Sequence, residues 1–221
     1  MATKADAITT SKPSPGDMAI HIGRVAARLF ASRGFDATSV RTIVEAAGVT
    51  KPTLYYHFGS KEGLAQALLT NPMTEFVTHL KHCLAASDDP VANLASQLGA
   101  HFTFMRDDPD RGRFFYALYF GPLCTSLSSE LAGFGKQINQ AMREGIAAVV
   151  AAGIVDPARA DAFALACRGT VVIHTMQFLY EPSGCLDALP VEFGPDLART
   201  IVSDLIRGFG ASPSPQSHER P

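Results

Sequence analysis

From Asp17 onward, apolar residues recur every three or four positions, the period of a helix with one buried face. Ile22, Val25, Ala26, Leu29 and Phe30 form the first such stripe, and Gly34 follows Arg33 as a stop signal. A shorter stripe, Ile43, Val44 and Ala47, has Thr38 or Ser39 before it as an N-cap and Gly48 after it as a terminator. Thr50 then caps a predicted helix over 51–58, whose Pro52 falls in the first turn, where no backbone donor is needed. Val49 and Leu54 have the spacing of a hydrophobic staple around that cap. Gly59 and Ser60 end this helix and open another at Lys61, which is expected to kink or stop near Asn71 and Pro72. Further helices are predicted at about 73–86, 90–106, 110–120, 127–152, 156–181 and 193–209, set apart by Asp-Pro, Gly-Pro and Glu-Pro pairs. No strand alternation, internal repeat or heptad run interrupts the pattern. The expected fold is all-α: a three-helix unit at 17–64 and a larger helical bundle at 65–210, between Ser/Thr/Pro-rich tails at 1–16 and 211–221 expected to be disordered.

Composition adds three constraints. With 221 residues, 47% of them hydrophobic and 18% charged, the chain can bury a core and still carry apolar surface, which favours self-association. Cys83, Cys124, Cys167 and Cys185 form no CxxC pair, and no leader-like pattern opens the chain, so a reducing, cytoplasmic setting is expected. No run approaches the roughly 18 continuous apolar residues of a membrane span, and no membrane partner is expected. The net charge of −2 hides an asymmetry. Residues 1–65 hold eight Lys/Arg against five Asp/Glu, whereas the remainder is acidic, so a polyanion would meet the N-terminal end more readily.

The second and third helices, joined at Gly48, have helix-turn-helix spacing. At about 100° per residue, Leu54 and Phe58 share the packing face of 51–58. Pro52, Thr53, Tyr56 and His57 then point away, with Lys51 and Tyr55 on a flank. Eight residues at about 1.5 Å each make a rod of roughly 12 Å, close to the width of the B-DNA major groove. Phenolic and Thr hydroxyls and Lys ammoniums are the donors that reach phosphates, and Lys51 or Arg41 can reach guanine edges.

The stretch TSVRTIVEAAGVTKPTLYYHFGSKEGL, residues 38–64, closely resembles the DNA-binding signature of the TetR family of transcriptional repressors. Thr38, Ile43, Ala47, Gly48, Val49, Thr50, Leu54, Tyr55, Phe58 and Lys61 carry the match, which is specific over about 45 residues. The resemblance implies that Arg41, Lys51, Pro52, Thr53, Tyr55, Tyr56 and His57 meet bases and adjacent phosphates. It also implies that Thr38, Thr50 and Lys61 anchor the DNA backbone. Pro52 departs from a position that is more often glycine in the family. The expected function is a homodimeric repressor on double-stranded DNA, at an inverted-repeat operator, released by a small apolar or aromatic effector; the sequence leaves open the identity of the effector and whether it releases DNA or promotes binding.

The run 111–122 is apolar nearly all round, and polar-tipped aromatics occur on neighbouring predicted helices. His101, Phe104, Phe114, Tyr119, Met142, His174 and Gln177 therefore stand as candidates for an effector pocket, with plain core as the rival reading. Helix 156–181, rich in small residues, and helix 193–209, with Leu197, Ile201 and Leu205 at every fourth position, are together candidates for a two-fold four-helix dimer interface, with monomer core as the rival reading. Glu75, His79, His82 and Cys83 share a face but lack a second ligand cluster, and Asp107, Asp108 and Asp110 have turn rather than cation-loop spacing. No catalytic residue, metal or cofactor is called for. A helical small-molecule-binding protein with a scaffold helix-turn-helix, or a small helical enzyme, remain the alternatives, and steep salt dependence of DNA binding separates them.

Overall fold

The computed structural model describes residues 15–120, 125–180 and 192–209; the predicted tails lie outside these residues except for Pro15 and Gly16, which belong to the first helix instead. Among the described residues nine α-helices follow in order: α1 Pro15–Arg33, α2 Val40–Ala47, α3 Lys51–Phe58, α4 Lys61–Cys83, α5 Pro90–Asp107, α6 Pro109–Phe120, α7 Thr125–Ala151, α8 Ala160–Tyr180 and α9 Pro195–Phe209, with a 3-10 turn at Pro157–Arg159 before α8. The fold is all-helical, with α1 to α3 at one end and α5 to α9 forming the larger body.

Local signals explain most boundaries. Ser39, Thr50, Ser60 and Asp89 cap α2, α3, α4 and α5 with side-chain oxygens that accept the first free backbone N–H groups. Pro72 does not break α4, which runs unbroken from Lys61 to Cys83 and crosses the boundary expected after residue 64. Proline sacrifices one intrahelical hydrogen bond there. Burial of Leu69, Met73, Phe76, Val77 and Leu80 along one face outweighs that loss and keeps the helix continuous.

The two parts meet chiefly where α1 lies on α6. Phe30, fully buried, sits with its ring centroid 5.2 Å from Phe35 and 5.0 Å from Phe114 of α6. Beside this contact Arg28 Nε donates to Asp110 Oδ2 at 3.2 Å, and Arg113 Nη1 donates to Asp110 Oδ1 at 3.0 Å. Arg113 Nε in turn donates to the carbonyl of Leu179 at 2.7 Å, at the last turn of α8. One carboxylate thus ties α1 to α6, and one guanidinium ties α6 to α8.

In the larger body α5 packs most extensively on α9. Gly99 permits this approach, since a Cβ there would stand 3.2 Å from the Pro195 backbone. Gln97, wholly buried, donates from Nε2 to the carbonyls of Leu80 and Ala141, joining α5 to α4 and α7. The segment Pro157–Tyr180 is long and apolar enough by length and composition to cross a membrane, although Arg168 interrupts it, and only 28% of its most apolar window is buried. Leu165 and Ile173 are 64% and 50% exposed on it. With Gly169, Met176 and Tyr180 they make an open apolar stripe along α8.

Candidate nucleic-acid interface

Two short helices need outside help to stay folded, and here each receives it at both ends. Ser39 Oγ accepts from Thr42 N at 3.1 Å at the start of α2. At its end Gly48 takes φ of 65°, a left-handed turn suited to glycine, and its N–H faces the Val44 and Glu45 carbonyls. His21 Nε2 of α1 donates to the Ala47 carbonyl at 3.0 Å, closing the same terminus. For α3, Thr50 Oγ1 accepts from Thr53 N at 3.3 Å, and Leu54 is fully buried. Gly63, in the first turn of α4, lets the end of α3 come close: a Cβ at that position would lie 2.1 Å from the Phe58 carbonyl oxygen.

What this frame holds outward is a compact polar and aromatic face. Lys51 and Pro52 are exposed, Tyr55 is 47% exposed and Tyr56 is 81% exposed. The Tyr56 ring meets His57 edge-on at 5.1 Å, and His57 is half-buried behind it. Thr53 is half-buried, its hydroxyl 2.8 Å from that of Thr50. Arg41, on α2, donates from Nε to Glu45 Oε1 at 2.7 Å, and both groups face solvent. The hydrogen bond to Glu45, then its charge, raises the Arg41 pKa. An exposed pair of this kind is weak and readily exchanged.

Two positions expected at the DNA backbone are engaged elsewhere. Thr38 is fully buried and donates its hydroxyl to the Gly34 carbonyl at 2.8 Å, so it closes the end of α1. Lys61 Nζ donates to the Phe35 carbonyl at 3.0 Å and lies 4.2 Å from the Phe35 ring centroid. Both therefore brace the α1–α2 turn that supports the surface.

The effector candidates do not converge. Phe114 packs on Phe30 at the junction of the two parts. Phe104 stacks on Phe76 at 4.4 Å and lines an open groove of about 940 Å³ between α4, α5 and the start of α9. Met142 lines a separate groove of about 630 Å³ between α7 and α8. Tyr119 is 48% exposed and stacks on Phe115, and Gln177 is half-buried. His174 donates from Nδ1 to the Thr170 carbonyl at 2.8 Å and lies 6.3 Å from Phe102. His101 is enclosed by Phe76, Phe102 and Tyr116, with Nε2 3.3 Å from Tyr116 Oη. Among the described residues no group of three or more His, Cys, Asp or Glu could hold a metal.

The expected dimer residues on α9 sit as follows within the protomer. Leu197 and Ile201 are 5% and 7% exposed within one chain, and their stripe faces inward, as α9 packs on α5; Leu205 is half-buried. An open apolar stripe lies on α8, the other helix expected at that interface. Sequence reasoning gave no role to Gly63, His21 or Arg28, and placed Phe30 only in an apolar stripe and Asp110 only in a turn. A glycine at the third position of a capped helix, where nearly any residue serves, was the one signal that could have exposed Gly63.

Residues 22–68 match the model of the bacterial regulatory proteins, tetR family. The HTH-type transcriptional repressor KstR2 of Rhodococcus jostii (strain RHA1) is 29% identical over 132 residues, 60% of this chain and 63% of that protein. The HTH-type transcriptional activator FasR of Mycolicibacterium smegmatis is 34% identical over 83 residues, 38% of each chain. The chain thus matches less than two thirds of the length of either relative. In three dimensions it resembles the ketosteroid transcriptional regulator KstR2 of Mycobacterium tuberculosis, with a TM-score of 0.68 at 21% identity, over 88% of this chain and 95% of that one. The matched segment coincides with α1 to the start of α4, the frame that presents Lys51, Tyr55 and Tyr56, and this part of the chain is a helix-turn-helix domain of the tetR-family kind.

Proposed function

We propose that the protein is a cytoplasmic, homodimeric transcriptional regulator that occupies an inverted-repeat DNA site and represses from it until a small molecule releases it. The observation that carries this reading is the outer face of α3. A helix of eight residues, anchored by a buried Leu54, holds Tyr56 81% exposed beside an exposed Lys51 and Tyr55. Hydrophobic bodies with hydroxyl tips are poor choices for a merely solvated helix and good ones for a groove with phosphate walls. Arg41 extends the surface, since a phosphate or guanine can replace the exposed Glu45 as its partner.

The α8 stripe of Leu165, Gly169, Ile173 and Met176 supports a two-fold helical interface, with recognition helices about 34–36 Å apart or a multiple of it. The tie from α8 through Arg113 and Asp110 to Arg28 supports coupling between that interface and the DNA-binding end. Repression is favoured because the relative sharing the longest aligned stretch of those described is a repressor. Selection of bound fragments from a random DNA library tests the reading. An enriched two-fold sequence, bound with an affinity that falls steeply with salt, is the expected result. Recovery of no preferred sequence by a folded dimer would refute it.

A further inference from the structure

Inside the larger body lies a short row of polar groups in an otherwise aromatic surrounding. His101 of α5, Tyr116 of α6 and Thr175 of α8 come from three different helices, and His101 Nε2 is 3.3 Å from Tyr116 Oη. Thr175 is fully buried and its hydroxyl completes no hydrogen bond, although it lies near enough to the phenol to hold its pKa back. A buried hydroxyl without a partner loses its water without compensation, which a packed core seldom tolerates. His101 is half-buried, and its ring is enclosed by Phe76, Phe102 and Tyr116.

The row is uncharged. Burial lowers the His101 pKa to about 4, so the imidazole is neutral at physiological pH. Burial raises the Tyr116 pKa to about 12, against a smaller opposing effect from Thr175, so the phenol keeps its proton. No Lys, Arg, Asp or Glu contributes to either shift. A carboxylate or ammonium brought here would give up its hydration and find no counter-charge. A carbonyl or hydroxyl oxygen would find donors already aimed inward. With the proton on Nε2, His101 donates to Tyr116 Oη, which frees the phenol O–H for an incoming oxygen, and Thr175 supplies a second O–H.

We infer that the interior between α5, α6 and α8 binds an uncharged, apolar, ring-bearing molecule through a single carbonyl or hydroxyl oxygen, held by Tyr116 and Thr175 with His101 behind them. This deepens, and as regulation rests on, the effector-release reading above; as a binding site it stands alone.

Three molecules of one skeleton test it: 2-acetylnaphthalene, 2-ethylnaphthalene and 2-naphthoate, titrated into the full chain by calorimetry and thermal shift. The ketone is expected to bind about tenfold more tightly than the hydrocarbon, the effect of about one good hydrogen bond, and the carboxylate more weakly still. Tyr116→Phe is expected to abolish the advantage of the ketone while leaving hydrocarbon binding unchanged. Thr175→Val is a second probe of the same oxygen, should the first variant fold poorly. Equal binding of ketone and hydrocarbon, preference for the carboxylate, equal weakening of both neutral probes by Tyr116→Phe, or no binding by any of the three would overturn the inference. The same titration on the protein bound to its selected DNA separates the two readings. Ketone binding that leaves DNA affinity unchanged sinks effector release and spares the site, whereas intact DNA binding with no ketone binding sinks the site and spares the regulator.

Discussion

Gly63→Ala is expected to damage DNA binding more than it damages the fold. The new methyl would stand 2.1 Å from Phe58 O and 3.3 Å from the carbonyl carbon behind it. A carbon beside a carbonyl oxygen keeps at least about 3.3 Å, so the last turn of α3 and the first turn of α4 must part by about 1 Å. The obstructing atom is backbone and cannot rotate aside. Overpacking of this size costs about 1–3 kcal/mol, which an otherwise well-packed domain survives. The outer face of α3 is less forgiving, because groups displaced by more than about 0.5 Å no longer meet a rigid partner productively. A loss of at least about tenfold in DNA affinity, about 1.4 kcal/mol, should result. Ser60→Ala is the control. It removes the cap that accepts from Gly63 N at 2.9 Å and costs a comparable 0.5–2 kcal/mol or so of stability, without inserting an atom between the helices. Chemical denaturation and fluorescence anisotropy with the selected DNA measure both quantities. Equal affinity losses in the two variants, or wild-type affinity in Gly63→Ala, would refute the positional argument.

Tyr56→Ala should leave stability within about 0.5 kcal/mol, because the ring is 81% exposed, yet weaken DNA binding by about 1–3 kcal/mol; Lys51→Ala should in addition lower the slope of log affinity against log salt by about one. A combined Leu165→Glu and Ile173→Glu variant should sediment as a folded monomer at concentrations where the parent is a dimer, since the two side chains are 64% and 50% accessible in the single chain. Leu197→Glu, at a position 5% exposed, should unfold the protomer instead. His101 has a folded pKa of about 4 against an ordinary 6.5, so the unfolded chain binds the extra proton first; stability should fall as pH drops from 6.5 through about 4, and His101→Gln should flatten that slope in denaturation curves taken across the range.

The helix-turn-helix was legible because its signals are local. Ser39, Thr50, Gly48 and Gly59 each act on atoms three or four residues away, so the bounds of α3 could be read without knowing any neighbour. The buried Leu54 and open Tyr56 came from helical period alone. Where the outcome depended on which element a face meets, the sequence was silent. Helix α6 is apolar on most sides, and nothing local distinguishes Phe114, which meets α1, from Tyr116, which meets His101. The stripe through Leu197 and Ile201 was legible, but that it packs on α5 of the same chain was not. Thr38 and Lys61 show the same limit for polar groups: a hydroxyl or ammonium suited to phosphate is equally suited to the carbonyls of Gly34 and Phe35. Pro72 was overridden by burial along α4, a gain visible only once α5 and α7 lie against it.

Leu54 is the one buried residue of α3, and its caps are supplied by Thr50 and Gly59 at the two ends. The exposed positions between them, Lys51, Pro52, Tyr55 and Tyr56, make no demand on the core. They can drift through mutation while the helix keeps its place. A duplicated copy of such a gene could acquire a new binding site by changing these few codons, without passing through an unfolded intermediate. Pro52 falls on the same side of that division: it is tolerated by the first turn of a helix and stands exposed, apart from the cap and the buried Leu54 that hold α3.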